Sequence, residues 1–73
     1  MTLLTDRIAE QLHAAGHTPT SLAAELGLRE RTVERWAAGT FEPQARHLLE
    51  LARSLGTSVG YLVGETDDPA PPA

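Results

Sequence analysis

Apolar residues recur along this chain at helical spacing. In "TDRIAEQLHAAG", with the leucine just before it, Leu4, Ile8 and Leu12 share one helix face. Thr5 is the expected N-cap, Asp6 suits the positive end of the helix dipole, and Gly16 is the expected stop. "HTPTSLAAELG" opens a second helix. Thr18 can cap it, and Pro19 fits the first turn, where its missing N–H would be unpaired anyway. Leu22, Ala23 and Leu26 face inward and Gly27 ends the helix. The next periodic stretch follows almost at once, so a very tight turn must join the two. In "RERTVERWAAG", Val33 and Trp36 fall on one side, while Arg31, Glu34, Arg35 and Ala38 fall on the other. "TFEP" reads as a turn. "QARHLLELARSLG" predicts a fourth helix with Leu48, Leu51, Ala52 and Leu55 inward. "SVGYLVG" predicts a short fifth, capped by Ser58 and weakened by Gly60. No stretch alternates with a β period. The pattern predicts an all-α fold, a compact bundle of five short helices over residues 1–64. Residues 65–73, "ETDDPAPPA", are acidic and proline-rich with almost no core-building side chains, and are expected to form a disordered tail or linker stub.

Composition narrows the function. A chain of 73 residues is one domain. Cysteine is absent, which excludes a disulfide framework, a thiolate zinc site and a cysteine nucleophile and fits a cytoplasmic setting. The apolar runs are too short for a transmembrane helix or a secretory signal, so no membrane association is expected. A net charge of -4 argues against a phosphate-bearing partner, whose binding is electrostatic at root. The sum hides the distribution, however. Glu65, Asp67 and Asp68 lie in the terminal segment, and without them six basic side chains face seven acidic ones. A local basic patch is compatible with that balance.

The patch falls on the third helix. Lysine is absent, and Arg29, Arg31 and Arg35 supply half of the chain's positive charge within seven residues. Arg31 and Arg35 are neighbours on the helix surface, where like charges destabilise by a few tenths of a kcal/mol. The dipole also disfavours cations in the first turn. One reading is a solvated face in which Glu34 screens Arg31. The other is a nucleic-acid-reading helix. In a helix–turn–helix the second helix enters the major groove, and residues near its N-terminus reach base edges. Arginine matches guanine O6 and N7 with two hydrogen bonds, and glutamate accepts from cytosine N4.

The spacing of Gly16, Leu22-Ala23, Leu26-Gly27, Thr32-Val33, Arg35-Trp36, Gly39 and Pro43 resembles the helix–turn–helix of phage-repressor and Cro-type proteins, the XRE-like regulators. "LLELARSLGTSVGYLVG" is similar to that family's fourth and fifth helices. The resemblance implies a lambda-repressor-like DNA-binding fold and a sequence-specific transcriptional regulator, usually a repressor. It further implies a homodimer on a palindromic double-stranded DNA operator. By position it makes Glu30, Arg31 and Arg35 base-reading residues; Glu34 shares their face. It makes Thr18, Thr20 and Ser21 a phosphate-contacting helix end, with Arg29 near the backbone or a neighbouring base. Thr40 and Gln44 are further phosphate candidates, and Arg46 and His47 weaker ones. Three departures stand out. Pro19 replaces a glutamine that bonds a phosphate and braces the reading helix, and Arg29 replaces a Ser or Thr cap. Leu12 and Ala37 replace an interhelical arginine–glutamate pair, so a van der Waals contact is expected there instead.

Trp36 lies on the inward face and is expected in the core. Tyr61 and Phe41 are open between local packing and a dimer contact; Val59, Leu62 and Val63 lie alongside Tyr61 as dimer candidates. His13 and His17 have the spacing of two metal ligands, but Gly16 interrupts the helix between them and no third ligand is evident, so no metal is expected. No phosphate-binding glycine loop or carboxylate pair in a cleft points to an enzyme or a cofactor. The competing class is a protein-interaction module, such as an antitoxin or a helix–turn–helix scaffold whose Glu30 and Glu34 repel DNA.

Overall fold

The inward residues of the periodic stretches meet in one cluster. Ile8, Leu12, Leu22, Ala23, Val33, Trp36, Leu51, Ala52, Leu55, Tyr61 and Leu62 are all buried. Full burial of each large side chain contributes roughly 1.5–3 kcal/mol. The computed structural model describes residues 2–71, and five α-helices carry this core. They are α1 (Leu3–Ala14), α2 (Pro19–Leu26), α3 (Glu30–Ala38), α4 (Ala45–Leu55) and α5 (Val59–Val63). No strand occurs among the described residues. The all-α expectation of five short helices therefore holds.

Helix α1 begins earlier than the apolar pattern indicates. Thr2, not Thr5, is its N-cap. The Thr2 hydroxyl accepts the Thr5 N–H at 3.2 Å, and the Thr5 hydroxyl accepts the Thr2 N–H at 3.0 Å. This reciprocal pair is a capping box with threonine at both ends. Two threonines three residues apart can each serve as a cap. Packing decides between them, because Thr5 is fully buried and helical. Leu48, expected inward, is half-buried, and the α4 contribution to the core is Leu51, Ala52 and Leu55.

The α2–α3 corner is the tight turn that the sequence requires. Thr18 caps α2, with its hydroxyl accepting the Ser21 N–H at 3.1 Å, and Pro19 occupies the first helical position. Gly27 closes the helix in the left-handed region, at φ 69°. The Leu28 N–H then reaches back to the Ala23 carbonyl at 2.9 Å, which the Gly27 N–H also meets, so the helix end is closed on its own backbone. Leu28 itself packs against the core, which fixes the exit direction of the chain. α3 packs most extensively on α2 and next on α1, so its inner face is covered from two sides. Leu12 on α1 is buried and Ala37 on α3 is half-buried.

The acidic segment after α5 is laid on the surface by specific contacts over its described part. The Glu65 N–H donates to the Gly60 carbonyl at 2.8 Å. Arg7 donates to the Tyr61 carbonyl, to the Thr66 carbonyl at 2.7 Å and to the Asp67 carboxylate at 2.8 Å. The Thr57 hydroxyl donates to the Pro69 carbonyl at 2.7 Å. Polar backbone contacts, rather than side-chain burial, place this segment, which is why a pattern of core-forming residues does not reveal it.

Candidate nucleic-acid interface

Val33 and Trp36 fasten α3 to the body of the protein, at 0% and 4% exposure. The Trp36 ring also lies against His47, with centroids 5.5 Å apart. The sequence expectation of a core tryptophan holds. With these two side chains turned in, helical geometry turns Glu30, Arg31, Glu34 and Arg35 out, and all four are exposed, as is Arg29 at the N-cap. The ion pairs among the described residues are Arg7–Asp67 and His17–Glu25, so none involves α3. Glu34 does not pair with Arg31, which removes the simplest stabilising account of this face. Arg29 makes no side-chain cap, so the first N–H groups of α3 gain nothing from it.

Glu30 is the exception within the set. The Thr20 hydroxyl of α2 donates to its Oε1, joining the N-terminal ends of the two helices. Two positions assigned to separate roles, one to bases and one to phosphate, are therefore bonded to each other. This bond braces α3 against α2. Sequence reading misses it because ten residues and a turn separate the partners.

The α2 end is largely self-satisfied. The Thr18 and Ser21 hydroxyls are committed to the capping box, and Ser21 also meets His17 Nδ1 at 2.9 Å. His17 Nε2 lies 3.3 Å from the Glu25 carboxylate. The Thr20 N–H has no partner among the described residues. Beyond α3, Thr40 and Gln44 are exposed, and Gln44 sits at the α4 N-cap without a side-chain cap bond, leaving its amide free. Arg46 is exposed beside it, and His47 is half-buried.

The residues expected at a dimer contact divide. Tyr61 and Leu62 are 6% and 0% exposed inside their own chain, so neither offers surface to a second copy. Val59 packs against the core, while Val63 is 44% exposed and Leu3 nearby is 52% exposed. Tyr61 is further held by its hydroxyl, which donates to the Glu10 carboxylate at 2.6 Å, and by the Arg7 guanidinium, 4.1 Å from its ring centre. The Tyr61 bond, helped by Gln11, holds the Glu10 carboxyl below its ordinary pKa. The same bond, with burial, raises the Tyr61 phenol.

No helix among the described residues is long and apolar enough to cross a membrane. No curated protein and no solved structure matches the chain. A family profile described as helix-turn-helix matches residues 8–62, from within α1 to within α5. The match covers the α2–turn–α3 unit and the helices that support it, and the chain belongs to the XRE-like helix-turn-helix family of DNA-binding transcription regulators.

Proposed function

We propose that the chain is a sequence-specific repressor that places α3 in the major groove of double-stranded DNA. The observation that carries this reading is the outer face of α3, with Arg31 and Arg35 exposed and without an ion pair, on a helix anchored by Val33 and Trp36. Stability does not account for two like charges on adjacent turns. Their in-plane N–H donors are free for guanine O6 and N7. Glu34 is free to accept from cytosine N4, while Glu30, held by Thr20, reads bases only with the oxygen that this bond leaves open. Arg29, Thr40, Gln44 and Arg46 surround this face and supply phosphate contacts. The unpaired Thr20 N–H adds one at the α2 N-terminus. A homodimer places two such helices in successive major grooves of a palindromic operator, about one helical turn apart. Leu3 and Val63 are the apolar surface that supports the pairing. Occupying the operator excludes polymerase.

The net charge of -4 and the exposed Glu34 favour a second reading, a protein-interaction module. Selection from random double-stranded DNA, followed by anisotropy of the winning duplex at several salt concentrations, separates the two. DNA reading gives a palindromic consensus containing G·C pairs. Its affinity falls with salt by about 0.9 of a power per phosphate neutralised. No enrichment by a folded protein rejects it.

A further inference from the structure

We infer that Phe41 is a positioning residue for Arg35, holding its guanidinium ready for base reading and so setting discrimination at the base pair Arg35 contacts. The inference rests on the DNA-reading assignment of α3. It begins with the way α3 ends. Gly39 adopts the left-handed conformation, at φ 79°, and its N–H turns back to the last turn of the helix. The Thr40 and Phe41 N–H groups both reach the Arg35 carbonyl, at 3.0 and 3.4 Å. The chain is thereby folded over Arg35, and the Phe41 ring lies 5.3 Å from its guanidinium carbon. That separation is within the roughly 6 Å at which a cation is attracted to a ring face.

Phe41 is 55% exposed and lies outside the buried core. Its one aromatic contact among the described residues is with Arg35. The guanidinium carbon lies over the ring, and a ring contact of this kind uses up none of the N–H donors that an ion pair would. A carboxylate would consume those donors instead. Arg35 thus has a partner that restricts its rotamers and competes with nothing that a guanine would bond. Restricting a rotamer-rich side chain before binding removes part of the ordering cost of the complex.

The test has two arms. In the free protein, proton NMR of the Arg35 side chain reads the stack directly. Ring-current upfield shifts are expected in the wild type and in Phe41→Tyr, and are lost in Phe41→Leu. Their absence from the wild type overturns the inference whatever the DNA result. The second arm measures Kd by anisotropy for the duplex that the wild-type chain enriches from a random pool. Phe41→Leu is expected to weaken binding about 2- to 5-fold and to relax preference at the same base pair as Arg35→Ala. Its melting temperature should stay unchanged and Phe41→Tyr should bind normally. In the Arg35→Ala background, Phe41→Leu should add nothing. An equal loss in both backgrounds means that the ring touches DNA by itself and overturns the positioning role. Failure to enrich any duplex overturns the DNA reading, and this role with it, while the NMR arm still reports the stack.

Discussion

Arg7 and the arginines of α3 show two uses of one side chain. Arg7 is 12% exposed, bonded to two carbonyls and a carboxylate, and stacked on Tyr61. It joins α1 to α5 and to the segment after it. Arg31 and Arg35 stand exposed on adjacent turns, and neither forms an ion pair among the described residues. The first arrangement commits three donors to the fold. The second leaves donors open and tolerates repulsion. An arginine's contribution to folding or to binding is therefore read from what its N–H groups already hold, since both groups look alike in the sequence.

The largest expected effect is on the open side. Arg31→Ala and Arg35→Ala should each lower affinity for the selected duplex by about 1–3 kcal/mol, with melting unchanged. A drop in melting temperature of the same size would place these residues in the fold and break the contrast. On the closed side the signs exchange. Arg7→Ala should destabilise folding by about 1–2 kcal/mol, because it removes charge-assisted hydrogen bonds from a largely buried side chain, one of them to the carbonyl of the buried Tyr61. Denaturant unfolding checks this, and DNA affinity should not change.

A pH titration sharpens the closed side further. The Tyr61–Glu10 bond needs a protonated phenol and an ionised carboxylate. Glu10 lies below its ordinary 4.5, so its contribution is present above that value and is lost as pH falls through the lower folded value. Tyr61 lies above its ordinary 10.0, so its contribution is present below that value and is lost as pH rises through the higher folded value. Tyr61 is the chain's sole tyrosine, so its ultraviolet titration is unambiguous. Glu10→Gln should bring that midpoint back toward 10.0. The smallest effect belongs to Asp67→Ala. Its side chain is 98% exposed, and the loss should stay below about 1 kcal/mol, as for surface ion pairs generally. A larger loss would mean that Asp67 anchors the segment more strongly than Arg7's carbonyl contacts do.

Most helix limits and the outward stripe on α3 were legible in the residues. Thr18, Gly27, Gly39 and Gly56 mark ends at the positions where the chain uses them. Val33 and Trp36 alone determine which way α3 turns, and with it the outward set Arg31, Glu34 and Arg35. Hydroxyl and carboxylate partners were not legible. Thr20 and Ser21 carried equal standing as phosphate contacts, yet one braces Glu30 and the other closes a capping box. Tyr61 stayed open between local packing and a dimer contact, and Leu62 stood among the dimer candidates, because a five-residue helix shows too few turns to define a buried face. Arg7 carried no signal, since its partners lie more than fifty residues away.

The sequence by itself determined the five helices, the tight α2–α3 corner and the outward direction of the arginine stripe. Each depends on local periodicity and on end-residue chemistry within a few positions. Tertiary structure decided which polar groups are still free. Thr20 was matched to Glu30, Tyr61 to Glu10, Arg7 to the segment after α5, and the Phe41 ring to Arg35 by folding. The physical reason is range. Helical preference is set among near neighbours, whereas a hydrogen bond or a ring contact requires two groups brought within a few ångströms by packing elsewhere.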